Sequence, residues 1–229
     1  MENFMKNKVL VIASHPDDET IGCGATIARH ISDGDEVKIM TMTNGISSRG
    51  HANKKIIQKR NDCFVRATKL LGAEIIAQGD FPDNMLDSVP LLELVKFIEK
   101  EKINTNFNIV YTHSSSDLNV DHRLTFQASM TAFRPEPNET IEEIRCFEIP
   151  SSTDFSASQI SSDFKPNLFI NTEKFHEIKV RALETYQDEI REFPHSRSIK
   201  AIDALAIVRG SSVGVEKAEA FEVVRKIER

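Results

Sequence analysis

Val9-Leu10-Val11-Ile12-Ala13 is a continuous apolar run, largely β-branched, close to the start of the chain. A strand apolar on both faces must be covered on both faces. That is the condition of a parallel sheet sandwiched between helices. The polar segment Ser14 to Glu19 ends this strand. Gly22 to Ile31 then reads as a helix with Ala25, Ile27, Ala28 and Ile31 along one side, closed by Gly34. Glu36 to Thr43 reads as the second strand, completing a β-α-β unit.

The alternation continues. Residues 44–54 form a polar loop, Ile56 to Leu71 a helix stopped at Gly72, and Ala73 to Ala77 a short strand. Leu91 to Lys102 is helical, Asn108 to Thr112 a strand, and His122 to Phe133 a helix ending before Pro135. Arg145 to Ile149 is a further strand, Lys174 to Ile190 a long helix, and a last helix falls near Lys217 to Arg225. Phe64, Leu70, Leu91, Leu94, Ile98 and Phe126 are expected in the core. The pattern predicts an α/β, Rossmann-like, mostly parallel sheet flanked by helices, as a single domain over residues 1–229. No stretch reads as a linker.

Composition removes several function classes. A net charge of -6 without a dense Lys/Arg cluster argues against a nucleic-acid partner. No apolar run approaches the roughly 20 residues of a membrane helix. The three cysteines, Cys23, Cys63 and Cys146, are far apart and lack CxxC spacing, which fits reduced thiols in a cytoplasm better than a disulfide framework or a zinc knuckle. A homo-oligomer is compatible with everything in the composition.

Ligands of an open parallel sheet bind beyond the carboxyl ends of its strands. Both polar constellations of the chain fall there: His15-Pro16-Asp17-Asp18-Glu19 after the first strand, and His113 to His122 after the fourth. Three carboxylates in one turn repel unless a cation or solvent relieves them. Imidazole and carboxylate are ordinary zinc ligands, and two ligands from one loop with a third from Asp121-His122 would leave a position open, as in catalytic sites. The competing reading is that Asp-Asp-Glu is simply negative charge favouring a helix N-terminus.

Ala13-Ser14-His15-Pro16-Asp17-Asp18-Glu19 with Gly22-Cys23-Gly24 closely resembles the A-H-P-D-D-E…G-x-G signature of the PIG-L/LmbE-like deacetylases. Asn119-Val120-Asp121-His122-Arg123 resembles the family's second motif, an H-x-D-H-like segment opening a helix. Between them, Arg60, Ala67, Leu71-Gly72 and Phe81-Pro82-Asp83-Asn84 look like a further family segment, so the likeness spans most of the first 150 residues. It implies a zinc-dependent enzyme removing N-acetyl groups from amino sugars or their conjugates, nucleotide- or glycan-linked ones included. His15, Asp18 and His122 match the metal ligands, and Asp17 matches the general base. Zinc lowers the pKa of bound water to around 7. Asp121 is expected to orient a neighbouring side chain or a ligand imidazole, and Glu19 to cap or pair. Other divalent ions suit such N/O sites as well.

One position departs from the pattern. Many family members carry a His where this chain has Asn119. An amide can donate to an oxyanion, but it cannot transfer a proton. The acid is then either His113, which could equally be a strand-end His bonded to backbone, or Asp17 returning the proton it took. Arg60 is a candidate for the oxyanion or a substrate hydroxyl or phosphate, set against an ordinary exposed helix arginine. Arg49 and His51 suit a substrate-gripping loop. Asn84 and His195 complete the substrate candidates. Ser151 to Asp154 could line a sugar pocket, and Pro194 to Ser198 with Arg209-Gly210 reads as a loop returning over the site. Two further readings stay open: a metal- or sugar-binding module without turnover, and a hydrolase of another amide or ester.

Overall fold

The structure is a computed structural model and describes residues 6–46, 48, 53–103, 105–157 and 163–228. Five parallel strands form the body of one sheet: β1 (Lys8–Ala13), β2 (Glu36–Thr43), β3 (Glu74–Phe81), β4 (Ile109–His113) and β5 (Glu143–Phe147). Their order is β3-β2-β1-β4-β5, continued by β7 (Ala218–Lys226) and β6 (Leu168–Asn171). β7 runs antiparallel to both of its neighbours. The helices are α1 (Asp18–Asp33), α2 (Lys54–Leu71), α3 (Leu91–Lys102), α4 (Val120–Ala132), α5 (His176–Leu183) and α6 (Ile199–Ser211).

β1 explains the layering. Val9 and Val11 point to one face, joining Ile21, Ile27, Phe64, Leu183 and Tyr186. Leu10 and Ile12 point to the other, joining Leu94, Ile98, Ala128 and Phe133. Successive side chains alternate across a strand, so an unbroken apolar run supplies two cores. Each such residue contributes about 1.5–3 kcal/mol on burial. α1 and α2 both end on a glycine in the left-handed region, Gly34 (φ 88°) and Gly72 (φ 82°).

The sheet reverses its winding between β1 and β4, and these two strands end side by side. A crevice at that switch point is where the fold offers a site.

Several elements differ from the sequence expectation. α1 begins at Asp18, four residues early, because Asp18 and Glu19 suit a helix N-terminus. β3 extends to Phe81. The long helix expected to Ile190 is the short α5 followed by a 3-10 turn, Glu184–Tyr186. The last expected helix is the strand β7: its charge spacing imitates a helix, but pairing on both edges with β5 and β6 decides the outcome. β6 and α6 had no clear sequence signal. Arg209 and Gly210, expected in a loop, lie in α6. A Cβ on Gly210 would come within 2.7 Å of the Lys217 backbone nitrogen, so only glycine fits there. Of the expected core, Phe64, Leu94 and Ile98 are fully buried, Leu91 and Phe126 are half-buried, and Leu70 is 39% exposed.

Candidate metal centre

The backbone N–H of Ser14, just past β1, donates to His113 Nε2 at the end of β4 (2.9 Å). This bond fastens the two polar constellations together. Between them three buried ligand atoms face one another. His15 Nδ1 lies 3.0 Å from Asp18 Oδ2, His122 Nε2 lies 3.3 Å from the same oxygen, and the two nitrogens are 3.4 Å apart.

The outer nitrogen of each imidazole meets a carboxylate. His15 Nε2 is 3.0 Å from Asp121 Oδ2, whose carboxylate also accepts the backbone N–H of Asn84 (2.7 Å) and of Leu86 (3.0 Å). His15 Nε2 is also 3.3 Å from Asp83 Oδ1. His122 Nδ1 is 3.0 Å from Asp117 Oδ2. Asp117 in turn accepts from the Asn119 backbone (2.8 Å), the Thr153 hydroxyl (2.8 Å) and the Ser152 hydroxyl. The Ser152 and Thr153 hydroxyls therefore brace a carboxylate.

This donor set fits a divalent metal. His15, Asp18 and His122 converge, and Asp18 Oδ1 is buried with no hydrogen-bond partner among the described residues. An outer carboxylate fixes the tautomer and orientation of each ligand imidazole, as in metal sites generally. The charge balance agrees. Burial alone would lower the His15 pKa, but Asp121 and Asp18 push it up to about 10. His122 is likewise carried up to about 9, against burial, by Asp18 and Asp117. Asp18 opposes its own burial through the two histidines and lies well below the usual carboxylate range. The pocket thus calls for positive charge, which a cation provides as it displaces those protons.

Asp17 stands beside the triad with an unusual backbone, φ 124°. Non-glycine residues adopt such conformations at a cost of about 1–3 kcal/mol. Its N–H is held by Glu19 Oε2 (2.9 Å), and its carbonyl accepts from Thr20 (3.0 Å) and Ile21 (2.8 Å). Burial raises the Asp17 pKa, and Arg60 works against that, its Nη2 lying 2.9 Å from Oδ2. Arg60 also meets Glu189 (3.1 Å), and Arg197 Nη1 is 3.6 Å from Asp17. Glu19 is buried and pushed up to about 7 by that burial, while accepting from Thr20 (2.6 Å) and Tyr186 (2.8 Å). It pairs and caps.

The other sequence candidates are placed as follows. Arg60 is buried between Asp17 and Glu189, which removes the exposed-arginine reading and leaves it a partner of Asp17. Asn119 caps α4 through Oδ1 (2.8 Å to Asp121 N) and gives its amide N–H to Asn84 Oδ1 (3.1 Å). Asn84 is exposed at the rim. His113 is fully buried, stacked on His122 at 3.9 Å. Its pKa is held well below the ordinary value, first by burial and then by His122. Accepting from Ser14 with Nε2, it is the strand-end His bonded to backbone. His195 is an exposed turn residue whose Nδ1 accepts from Arg197 N (3.0 Å). Arg49 and His51 lie outside the described residues. Sequence reasoning assigned no role to Asp117, Tyr186 or Glu189. Asp117 was within reach, being a carboxylate in the same loop as His122. Tyr186 and Glu189 come from the second half of the chain, where no motif flagged them, whereas Arg197 lies in the Pro194–Ser198 segment expected to return over the site.

The family model of the GlcNAc-PI de-N-acetylases (PIG-L) matches residues 10–133. The chain belongs to this family. The match runs from β1 through α4 and includes His15, Asp17, Asp18, Arg60, Asp117, Asp121 and His122. The PIG-L member here is 30% identical to the uncharacterized deacetylase YaiS of Escherichia coli, over 78% of this chain and 90% of that protein. It is 26% identical to the diacetylchitobiose deacetylase of Thermococcus kodakarensis, over 95% of this chain and 83% of that one. The inhibitor-bound N,N'-diacetylchitobiose deacetylase of Pyrococcus horikoshii shares the fold, with a TM-score of 0.76 at 21% identity, covering 96% of this chain and 84% of the other. The same fold, at a TM-score of 0.70 and 20% identity over 98% of this chain and 99% of the other, belongs to a 4-carboxy-2-hydroxymuconate hydratase of Pseudomonas putida. Fold likeness alone therefore does not fix the reaction.

Proposed function

We propose that the protein is a zinc-dependent N-deacetylase that removes the acetyl group from an N-acetylated amino sugar or its conjugate, acting as one domain in the cytoplasm. The observation that carries this reading is the convergence of His15, Asp18 and His122, with each imidazole locked from behind by Asp121 or Asp117 and Asp17 beside them. Membership of a deacetylase family and the diacetylchitobiose-deacetylating relative support the substrate class.

His15, Asp18 and His122 would hold a divalent cation, which would supply Lewis acidity towards water and an amide carbonyl. The remaining chemistry belongs to the chain. Asp17 takes the proton of the attacking water. Burial, which raises its pKa, makes it a stronger base than an exposed aspartate, and Arg60 works against that rise. Arg60 and Glu189 fix the carboxylate in place. Asn119 cannot transfer a proton, and His113 is buried and engaged with Ser14. Asp17 is therefore left to return the proton to the departing amine.

The test is acetate release from N,N'-diacetylchitobiose and a panel of N-acetylglucosaminides by the purified metal-loaded protein, with metal content measured alongside. Acetate from at least one substrate, abolished in His122→Ala, is expected. One metal per chain with no acetate from any substrate would favour a binding module and sink the deacetylase reading.

A further inference from the structure

Helix α1 is broken. Cys23 has φ -146° and ψ 23°, so the turn carrying Asp18 and the segment beyond Gly24 are two helical pieces joined at a kink. A break leaves orphan carbonyls behind it and orphan N–H groups ahead of it. Two side chains from distant parts of the chain satisfy them. Lys179 of α5 donates to the Ile21 carbonyl (2.7 Å). Glu219 of β7 accepts from Thr26 N–H (2.7 Å) and Ala25 N–H (3.2 Å). Lys179 and Glu219 pair with each other at 2.6 Å and are both buried.

The signs are matched to the break. The ammonium sits at the carbonyl end of the first piece and the carboxylate at the N–H end of the second, as the helix dipoles prefer. The glycines on either side of Cys23 make room for this arrangement. A Cβ on Gly22 would lie 2.4 Å from the Phe147 ring, and one on Gly24 would lie 3.3 Å from Lys179 Cγ. A buried ion pair is not needed for stability alone, because uncharged replacements of similar size are commonly neutral or stabilising.

We propose that Lys179 and Glu219 are positioning residues for the metal centre. By capping both sides of the break at Cys23, they set the direction of the first turn of α1 and so aim the Asp18 carboxylate at His15 and His122. Both residues lie beyond the span matched by the family model, 10–133. The inference rests on the metal-centre reading above.

The test is Co2+ titration of the metal-free full-length protein, read by the visible absorption of the bound ion and compared with Lys179→Met/Glu219→Gln. This double variant buries no unpaired charge and keeps an oxygen near Thr26. It is expected to melt cooperatively, bind Co2+ about tenfold more weakly and show an altered band, in the range typical of residues that orient metal ligands. A folded double variant with unchanged affinity and band overturns the proposal. Should the double variant not fold, Glu219→Gln alone is read in the same way. If neither folds, the pair determines the fold itself and the proposal is likewise overturned. A wild-type protein that takes up no Co2+, or whose band survives His122→Ala, instead overturns the metal centre on which the inference rests.

Discussion

At the scale of single residues, the proposed mechanism gives two aspartates near the triad different tasks, base chemistry and ligand support. Asp17 contacts arginines and no ligand imidazole, so Asp17→Asn should leave metal content unchanged while lowering turnover by about 10²–10⁴-fold, the usual contribution of a general base. Metal analysis beside a rate assay checks this, and an undiminished rate would remove Asp17 from the mechanism. Asp117 contacts His122 Nδ1 and no other residue of the triad. Asp117→Asn should weaken metal binding by about 10–100-fold, as measured by competition with a chromophoric chelator. Equal affinity would show that His122 needs no carboxylate behind it. Much of this level was legible in the sequence. His15, Asp17, Asp18, Asp121 and His122 lie in two short motifs, which the fold brings together. Glu189 was not legible, because it is a single charged residue in the C-terminal half that only the folded chain brings to Arg60 and Asp17.

At the scale of elements, α1 and β7 mark the strength and the limit of reading local pattern. The apolar run of β1 and the glycines ending α1 and α2 are local signals, and the structure follows them. β7 is decided by partners. Its Glu219, Glu222 and Arg225 are spaced as on a helix, yet the strand lies between β5 and β6, and Glu219 points to α1. The kink in α1 was equally hidden, since Gly22-Cys23-Gly24 reads as a motif without showing what the glycines approach. Phe147 of β5 is the answer for Gly22. Gly22→Ala should therefore overpack that contact and destabilise by about 1–3 kcal/mol. In a chain of this size each kcal/mol lowers the melting temperature by roughly 2–4 °C. Calorimetry showing no loss would mean that the β5 ring moves aside freely.

The whole molecule has a second polar network, running along the sheet from β4 towards the ends of the strands opposite the site. Arg145 donates to the Tyr111 oxygen, the Tyr111 hydroxyl meets His30 Nε2 at 2.9 Å, and His30 Nδ1 meets Asp35 at 2.6 Å. Burial lowers the His30 pKa below its ordinary 6.5, and Asp35 only partly offsets this. The unfolded chain thus binds the extra proton first as pH falls. His30 contributes stability that is present above about pH 6.5 and lost below it, by at most about 1.4 kcal/mol per pH unit. Urea midpoints at pH 7.5 and 5.5 should therefore differ less in His30→Gln than in the wild type. Identical differences would show that His30 is not held neutral.

The interior placement of β7 bears on the connection between β5 and β6. The chain leaves the sheet after Phe147 of β5 and rejoins it at Leu168 of β6, with β7 between the two strands. At its return, Asn167 is already fastened to β7, its N–H donating to the Phe221 carbonyl (2.9 Å) and its Oδ1 accepting from the Val223 N–H (2.8 Å). Lengthening a connection between strands adds little closure entropy, about 0.6 kcal/mol per doubling. The excursion also begins with Ser152 and Thr153, which brace Asp117. This connection is therefore rooted at the candidate metal centre, so a change in its first residues reaches Asp117 and, through it, His122.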